Sequence, residues 1–202
     1  MKILLIHGLS RTPLSLLGLE QSLQQTGLTT EQFSYFALTE SFDRIVERLR
    51  FRLQALAKGG DYGIVAHSLG GLLTRVALGL GAIKLPQHIV MLGTPNQLPR
   101  LAPRAWQLLP PFRWWTGQCG YNLTDPNFFA SLPPIKSPYT TVAGTGGHRG
   151  IFSPFGDELN DGIVALSETR LSDRDRLVQL PVLHTFMMND LRVQKTVRQA
   201  FK

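Results

Sequence analysis

Ser68 lies in the six-residue sequence AHSLGG (66–71), where two different hydrophobic patterns meet. A short apolar run over 62–66 predicts a buried strand, and the small-residue stretch 69–80 predicts a helix. A serine on a tight turn between a strand and a helix is exposed, and its neighbours two positions away must be small because the two backbones approach there. Ala66 and Gly70 meet that requirement. The pattern therefore indicates a nucleophilic serine.

This segment resembles the nucleophile elbow of the α/β-hydrolase superfamily, normally written G-x-S-x-G. Ala66 departs from the usual glycine by one methyl group, and the A-H-S-x-G-G elbow of small bacterial serine lipases is similar to the sequence found here. The resemblance covers roughly residues 1–96 and 139–202. It implies a serine esterase or lipase that works through an acyl-enzyme intermediate, with no cofactor and no metal.

His184 is the histidine that the resemblance identifies as the general base. It follows the last predicted strand and precedes the last predicted helix, which is where this superfamily has its catalytic histidine. The other four histidines lie beside elements that do not fit this role: His7, His67, His88 and His148.

Asp161 is the predicted third member of the triad. The sequence NDGIV (160–164) resembles the acid loop of the family, in which Asp-Gly precedes an apolar pair. Asp157 and Glu158 lie close by in the sequence, so they remain alternatives.

The sequence HGLS (7–10) follows the first predicted strand and resembles the loop that supplies half of an oxyanion hole. The resemblance implies that the backbone N–H groups of Leu9 and Leu69 are the donors.

Predicted strands and helices alternate along the chain. This order predicts the α/β class, with a mostly parallel sheet covered by helices on both faces in one domain over residues 1–202. The predicted strands are 3–6, 29–36, 62–66, 88–92, 139–143 and 177–180. The predicted helices are one that starts near Thr12-Pro13 and ends at Gly27, one from a Ser41 cap to Gly59, 69–80 and 189–201.

Residues 97–135 interrupt this alternation. They hold seven of the 13 prolines and all three tryptophans, which predicts a long loop. The superfamily places cap-like or lid-like insertions here, after its sixth strand. As the wall of an apolar substrate pocket we predict Arg11, Trp106, Trp114, Trp115 and Phe128. The alternative is a proline-stiffened excursion that does not contact substrate.

Cysteine usage and hydropathy limit the protein class. The single cysteine, Cys119, excludes an internal disulfide framework and a cysteine-cluster zinc site. It also lies in the insertion, away from the serine turn. No apolar run reaches 18 residues, and the four apolar residues 3–6 are too few for a signal-peptide core. We therefore expect a cytoplasmic protein.

Basic residues outnumber acidic ones by 21 to 14, a net charge of +7. Ten basic and six acidic residues lie in 1–100, and eleven and eight lie in 101–202. This even distribution argues against a nucleic-acid partner. We expect a small-molecule or lipid ester as substrate, with an anionic lipid surface as a transient partner. The oligomeric state is left open.

Other functions remain compatible with the same residues. A thioesterase or an acyltransferase would use the same triad and the same acyl-enzyme step. A non-catalytic binding protein of the same fold is a further alternative.

Overall fold

The computed structural model describes residues 1–172 and 177–202. Six strands form one sheet in the order β2-β1-β3-β4-β5-β6, and each neighbouring pair is parallel. The strands are β1 Lys2–Ile6, β2 Thr29–Phe33, β3 Tyr62–His67, β4 Ile89–Leu92, β5 Tyr139–Gly144 and β6 Leu177–Leu180. The predicted class, a parallel sheet covered by helices, is confirmed.

Helices cover both faces of this sheet. The α-helices are α1 Leu17–Gln24, α2 Phe42–Lys58, α3 Leu69–Gly79, α4 Leu101–Leu108, α5 Pro110–Asn122, α6 Pro126–Ser131 and α7 Leu191–Ala200. Short 3-10 helices occupy Pro13–Leu16, Ser167–Thr169 and His184–Asn189. Helices α2 and α3 pack with the 97–135 segment on one face, and α1 and α7 cover the other face.

Alternation within the strands divides the core into these two layers. In β1, Leu4 and Ile6 pack towards α2 and α3, whereas Ile3 and Leu5 pack towards α1 and α7. All four side chains are fully buried. Successive side chains of a strand point to opposite faces, so a strand that is apolar throughout must be buried on both sides.

Some boundaries differ from the predicted ones. The second strand ends at Phe33 and not at residue 36, because its pairing with β1 ends where β1 ends, at Ile6 opposite Phe33. Tyr35 is nevertheless buried, as a loop residue stacked on His7. The Ser41 cap is confirmed: its side chain accepts a hydrogen bond from the N–H of Arg44.

The prediction of a long loop over 97–135 is wrong, since the segment contains helices α4, α5 and α6. Two of its prolines open helices, Pro110 in α5 and Pro126 in α6, and Asp125 caps α6 through the N–H of Asn127. Proline at the first helical position loses no hydrogen bond, so these residues start helices here. Helix α5 is kinked at Gly117, whose φ is 48°.

Arg75 of α3 clamps both ends of this insertion. Its guanidinium donates to the carbonyl and side-chain oxygens of Asn96, and to the carbonyl oxygens of Leu132 and Pro133, over 3.1–3.4 Å. Burial lowers the pKa of Arg75 to about 10, which still leaves it charged at neutral pH. The helix that follows Ser68 therefore holds the insertion at its entry and its exit.

Candidate active site

Ser68 occupies a backbone conformation that favours glycine. Its φ and ψ are 51° and −121°, the values of the first central residue of a type II′ turn. The turn forms because β3 ends at His67 and α3 starts at Leu69, which leaves one residue to reverse direction. Such a conformation costs about 1–3 kcal/mol for a residue with a side chain.

Two glycines after Ser68 let the neighbouring strands approach this turn. A Cβ on Gly70 would lie 2.8 Å from the carbonyl oxygens of both Ile6 and His7, at the end of β1. A Cβ on Gly71 would lie 2.2 Å from Oγ1 of Thr94, beyond β4. The S-x-G-G spacing therefore has a packing reason: a side chain at either glycine would clash with residues at the end of β1 or just after β4.

The structure brings the three predicted triad side chains together. Nε2 of His184 lies 3.0 Å from Oγ of Ser68, and Nδ1 of His184 lies 2.7 Å from Oδ2 of Asp161. His184 and Asp161 are both buried. The three groups form a continuous hydrogen-bonded chain from a carboxylate to a serine hydroxyl.

Asp161 is oriented by its own loop. Its Oδ1 accepts hydrogen bonds from the N–H groups of Ile163 at 3.0 Å and Val164 at 2.7 Å, so Oδ2 is left for His184. The alternative acids lie elsewhere: Asp157 is exposed, and Glu158 pairs with Arg100. The geometry therefore places Asp161, and neither alternative, beside the imidazole.

The backbone of His184 is held on both sides. Its N–H donates to the carbonyl oxygen of Asp161 at 2.9 Å, and its carbonyl oxygen lies 3.1 Å from Nε2 of His67. Arg11 adds a hydrogen bond from Nη2 to the carbonyl oxygen of Thr185 at 3.1 Å. The side chains of Arg11 and His67 and the carbonyl oxygen of Asp161 thus position the imidazole of His184 through the main chain of residues 184 and 185.

His67 is a neutral donor in this arrangement. It is completely enclosed, and the loss of solvation lowers the pKa of His67 well below its usual value. A neutral imidazole has one N–H, which must lie on Nε2 to reach the carbonyl oxygen of His184. Nδ1 of His67 is buried and accepts no hydrogen bond from the described residues. No sequence signal predicts this role, because the contact joins residues 117 positions apart.

The predicted oxyanion donors lie on either side of the serine. Leu69 is the first residue of α3, and an N–H at that position has no partner within its helix. Leu9 lines the same cavity as Ser68. A Cβ on its neighbour Gly8 would lie 3.0 Å from Cβ of Ser68, so this loop passes directly over the serine.

An apolar cavity of about 410 Å³ opens beside Ser68 and His184. Its wall includes Arg11, as predicted, together with residues that sequence reasoning missed. These come from the insertion (Leu101, Ala102, Ala105, Phe112, Leu123) and the acid loop (Ile163, Val164). The spacing of Leu101, Ala102 and Ala105 on one helical face was the available signal.

The cavity does not have the aromatic wall that the sequence predicts. Trp106, Trp114, Trp115 and Phe128 do not line it. Trp114 and Trp115 are exposed because Phe112, two or three positions earlier in α5, takes the inward side of the helix. Phe128 packs edge-on against Phe42, and Trp106 packs against Phe112 and Tyr121.

Within residues 1–172 and 177–202, no group of three or more His, Cys, Asp or Glu side chains is arranged to hold a metal ion. No helix in the same residues has the length and apolarity needed to cross a membrane. Cys119 is buried, and burial raises the pKa of its thiol to about 12.

No family model and no curated protein matches the sequence. Solved structures do match. The lipase BlEst2 of Bacillus licheniformis, solved in its propeptide form, has a TM-score of 0.77 and 18% identity over 98% of this chain and 50% of its own. An extracellular α/β-hydrolase of a Paenibacillus species has a TM-score of 0.65 and 12% identity, over 100% of this chain and 97% of its own. The RedJ thioesterase of Streptomyces coelicolor has a TM-score of 0.63 and 13% sequence identity, over 98% of this chain and 85% of its own.

These likenesses establish the architecture. The chain has the α/β-hydrolase fold in a compact form, and it spans half the length of the Bacillus lipase.

The Ser68 turn predicts an unusual order of stability. Because its φ and ψ favour glycine, Ser68→Gly should be more stable than Ser68→Ala, by about 1 kcal/mol after the entropy cost of glycine. Ser22 lies within helix α1, so the order should reverse there: Ser22→Gly should be less stable than Ser22→Ala by about 1 kcal/mol. Urea unfolding of the four variants measures both differences. The same order at both positions would contradict a strained Ser68.

Proposed function

We propose that the protein is a serine hydrolase that cleaves carboxylic esters, with Ser68 as nucleophile, His184 as general base and Asp161 as the group that orients His184. The hydrogen-bonded chain Asp161–His184–Ser68 carries this proposal. The 3.0 Å distance between Nε2 of His184 and Oγ of Ser68 lies within the range required for proton transfer, and the 2.7 Å distance to Asp161 is that of a hydrogen bond that orients the imidazole. The apolar cavity beside Ser68 supports an acyl chain as the bound group.

In the acylation step, Oγ of Ser68 attacks the ester carbonyl carbon while Nε2 of His184 takes the hydroxyl proton. The carbonyl oxygen becomes an oxyanion that the N–H groups of Leu9 and Leu69 stabilise. The C–O bond to the alcohol then breaks, and the imidazolium returns the proton to the departing oxygen. The products of this step are a free alcohol and an ester of Ser68.

In the deacylation step, water takes the place of the alcohol. His184 removes a proton from water, hydroxide adds to the acyl carbon, and the bond to Oγ breaks as the proton returns to Ser68. Asp161 remains ionised and stabilises the imidazolium in both steps. A carboxylic acid leaves, and the enzyme is restored.

The positioning contacts described above fit this cycle. The imidazole must face Asp161 and Ser68 at once, and small displacements of reacting groups lower the rate steeply. His67 and Arg11 hold the carbonyl oxygens of His184 and Thr185, so the base is fixed from the nucleophile side and the oxyanion side.

Ser68→Ala should abolish ester hydrolysis. We expect kcat for p-nitrophenyl butyrate to fall by at least about a thousandfold, because the variant lacks the hydroxyl beside Nε2 of His184 that forms the acyl intermediate. Ser131→Ala, an exposed serine on α6, is the matched control and should keep full activity. The melting temperature of both variants should stay near that of the natural chain. Turnover that survives in purified Ser68→Ala protein would rule out this nucleophile.

Ala105→Phe should shift chain-length preference. Ala105 lines the cavity from α4, and a phenyl ring there occupies volume that a long acyl chain needs. We expect kcat/KM for an octanoate ester to fall at least tenfold and that for an acetate ester to change less than threefold. Ala130→Phe, on the exposed side of α6, is the control. Equal losses on both esters would place the acyl chain outside this cavity.

A thioesterase is the second candidate, and the likeness to the RedJ thioesterase is the observation that favours it. Both functions share the acyl-enzyme, so the leaving atom separates them. We expect the oxygen ester of a given acyl chain to be turned over at least as efficiently as the matching thioester. A kcat/KM at least a hundredfold higher for the thioester would assign the site to thioesters.

A further inference from the structure

The solvent side of the insertion carries four large apolar side chains, which we call the apolar ridge: Leu108, Leu109, Trp114 and Trp115. Their exposed fractions are 75%, 54%, 81% and 66%. Large apolar groups that stay in water in this way cost solvation free energy, and a contiguous set of them marks a contact surface. Neither the triad nor the cavity uses any of the four.

The ridge residues lie on both sides of the joint between α4 and α5. Leu108 ends α4 and Leu109 joins it to α5, which starts at Pro110. Trp114 and Trp115 lie one turn after Pro110 and Pro111, so they continue the same side of α5.

The opposite side of α5 carries Phe112, which lines the cavity, and Thr116, which is buried. The insertion therefore has one apolar side towards the cavity and another towards solvent.

The sequence segment that carries the ridge is basic. Residues 97–124 include three arginines and no aspartate or glutamate. Arg104 is exposed on α4, and Arg113 is exposed between the cavity side and the ridge, where it donates to the carbonyl oxygens of Trp106 and Gln107. The whole chain carries +7. Arg100 pairs with Glu158 and Glu168, so Arg104 and Arg113 are the exposed basic groups of this segment that can complement an anionic surface.

We propose that the apolar ridge docks on an anionic lipid surface, with Trp114 and Trp115 at the boundary between headgroups and acyl chains. Tryptophan favours that boundary because its ring is apolar and its N–H keeps a polar partner. Arg104 and Arg113 add attraction to anionic headgroups. A twofold dimer through the ridge is disfavoured, since it would set the same arginines of two copies against each other.

Docking is independent of the proposed hydrolysis and can be measured without it. The protein carrying Ser68→Ala is sedimented with vesicles of phosphatidylcholine alone, or of phosphatidylcholine with about 30% phosphatidylglycerol, which makes the vesicle surface anionic. We expect binding to the anionic vesicles and weaker binding to the neutral ones. Trp114→Ser/Trp115→Ser should lower the partition coefficient on anionic vesicles at least tenfold.

Two controls test the site and its charge. Phe51→Ser removes an aromatic ring of 65% exposure from α2 and should leave the partition unchanged. Arg104→Gln should weaken binding to anionic vesicles and not to neutral ones. The tryptophan fluorescence of the protein should shift to the blue on binding, and the double variant should lose this shift.

Three outcomes would overturn the proposal. The protein fails to bind anionic vesicles, or the double tryptophan variant binds as well as its parent, or Phe51→Ser weakens binding equally. A dimer in light scattering that the double variant dissolves, without vesicle binding, would assign the ridge to a second copy of the chain. Ester hydrolysis by the natural chain is measured in a separate experiment. Failure of vesicle binding therefore does not contradict ester hydrolysis, and failure of hydrolysis does not contradict vesicle binding.

Discussion

The close approach of helix α3 to the end of strand β1 is the constraint on which the active-site geometry depends. Gly70 makes it possible, because a side chain there would meet two backbone carbonyl oxygens at 2.8 Å. With the helix this close, Ser68 is forced into a conformation that glycine prefers, and the loop after β1 passes directly over it. Part of the folding free energy is thus used to hold a half-buried hydroxyl in one position.

The base and the acid are held in a different way, through main-chain hydrogen bonds between loops. Asp161 uses one carboxylate oxygen on its own loop and the other on His184, while His184 is held by the carbonyl oxygen of Asp161 and by His67. Glu168 links this network of hydrogen bonds to the insertion. It is buried, and its carboxylate accepts hydrogen bonds from the N–H groups of Ala165 and Arg100. Together with Arg75, these contacts join the insertion, the nucleophile helix and the acid loop into one unit.

Structural features that depend on a few neighbouring residues could be predicted from the sequence, and features that depend on distant residues could not. The small residues around Ser68 reflect a local backbone requirement, so the strand, the turn and the helix were readable from a few residues. The resemblance to the family implies the roles of His184 and Asp161, and both follow predicted strands, whose carboxyl ends a parallel sheet brings to one edge. The support that His67 gives to His184 was not readable, since it depends on a carbonyl oxygen far away in the sequence.

The pocket wall was mispredicted for a related reason. Aromatic content identified the insertion as apolar but could not show which side of α5 faces inward. Packing decides that: Phe112 enters the cavity, and Trp114 and Trp115 face solvent. The proline content of this segment predicts a loop, whereas Pro110 and Pro126 begin helices in the structure.

Labelling with a fluorophosphonate tests the central claim most directly, because the reagent reacts covalently only with an activated nucleophile. The account predicts one adduct, on Ser68, by peptide mass spectrometry, and labelling at least about a hundredfold slower in His184→Gln protein, which lacks the general base. An adduct on another residue, no adduct, or equal rates with and without His184 would contradict it.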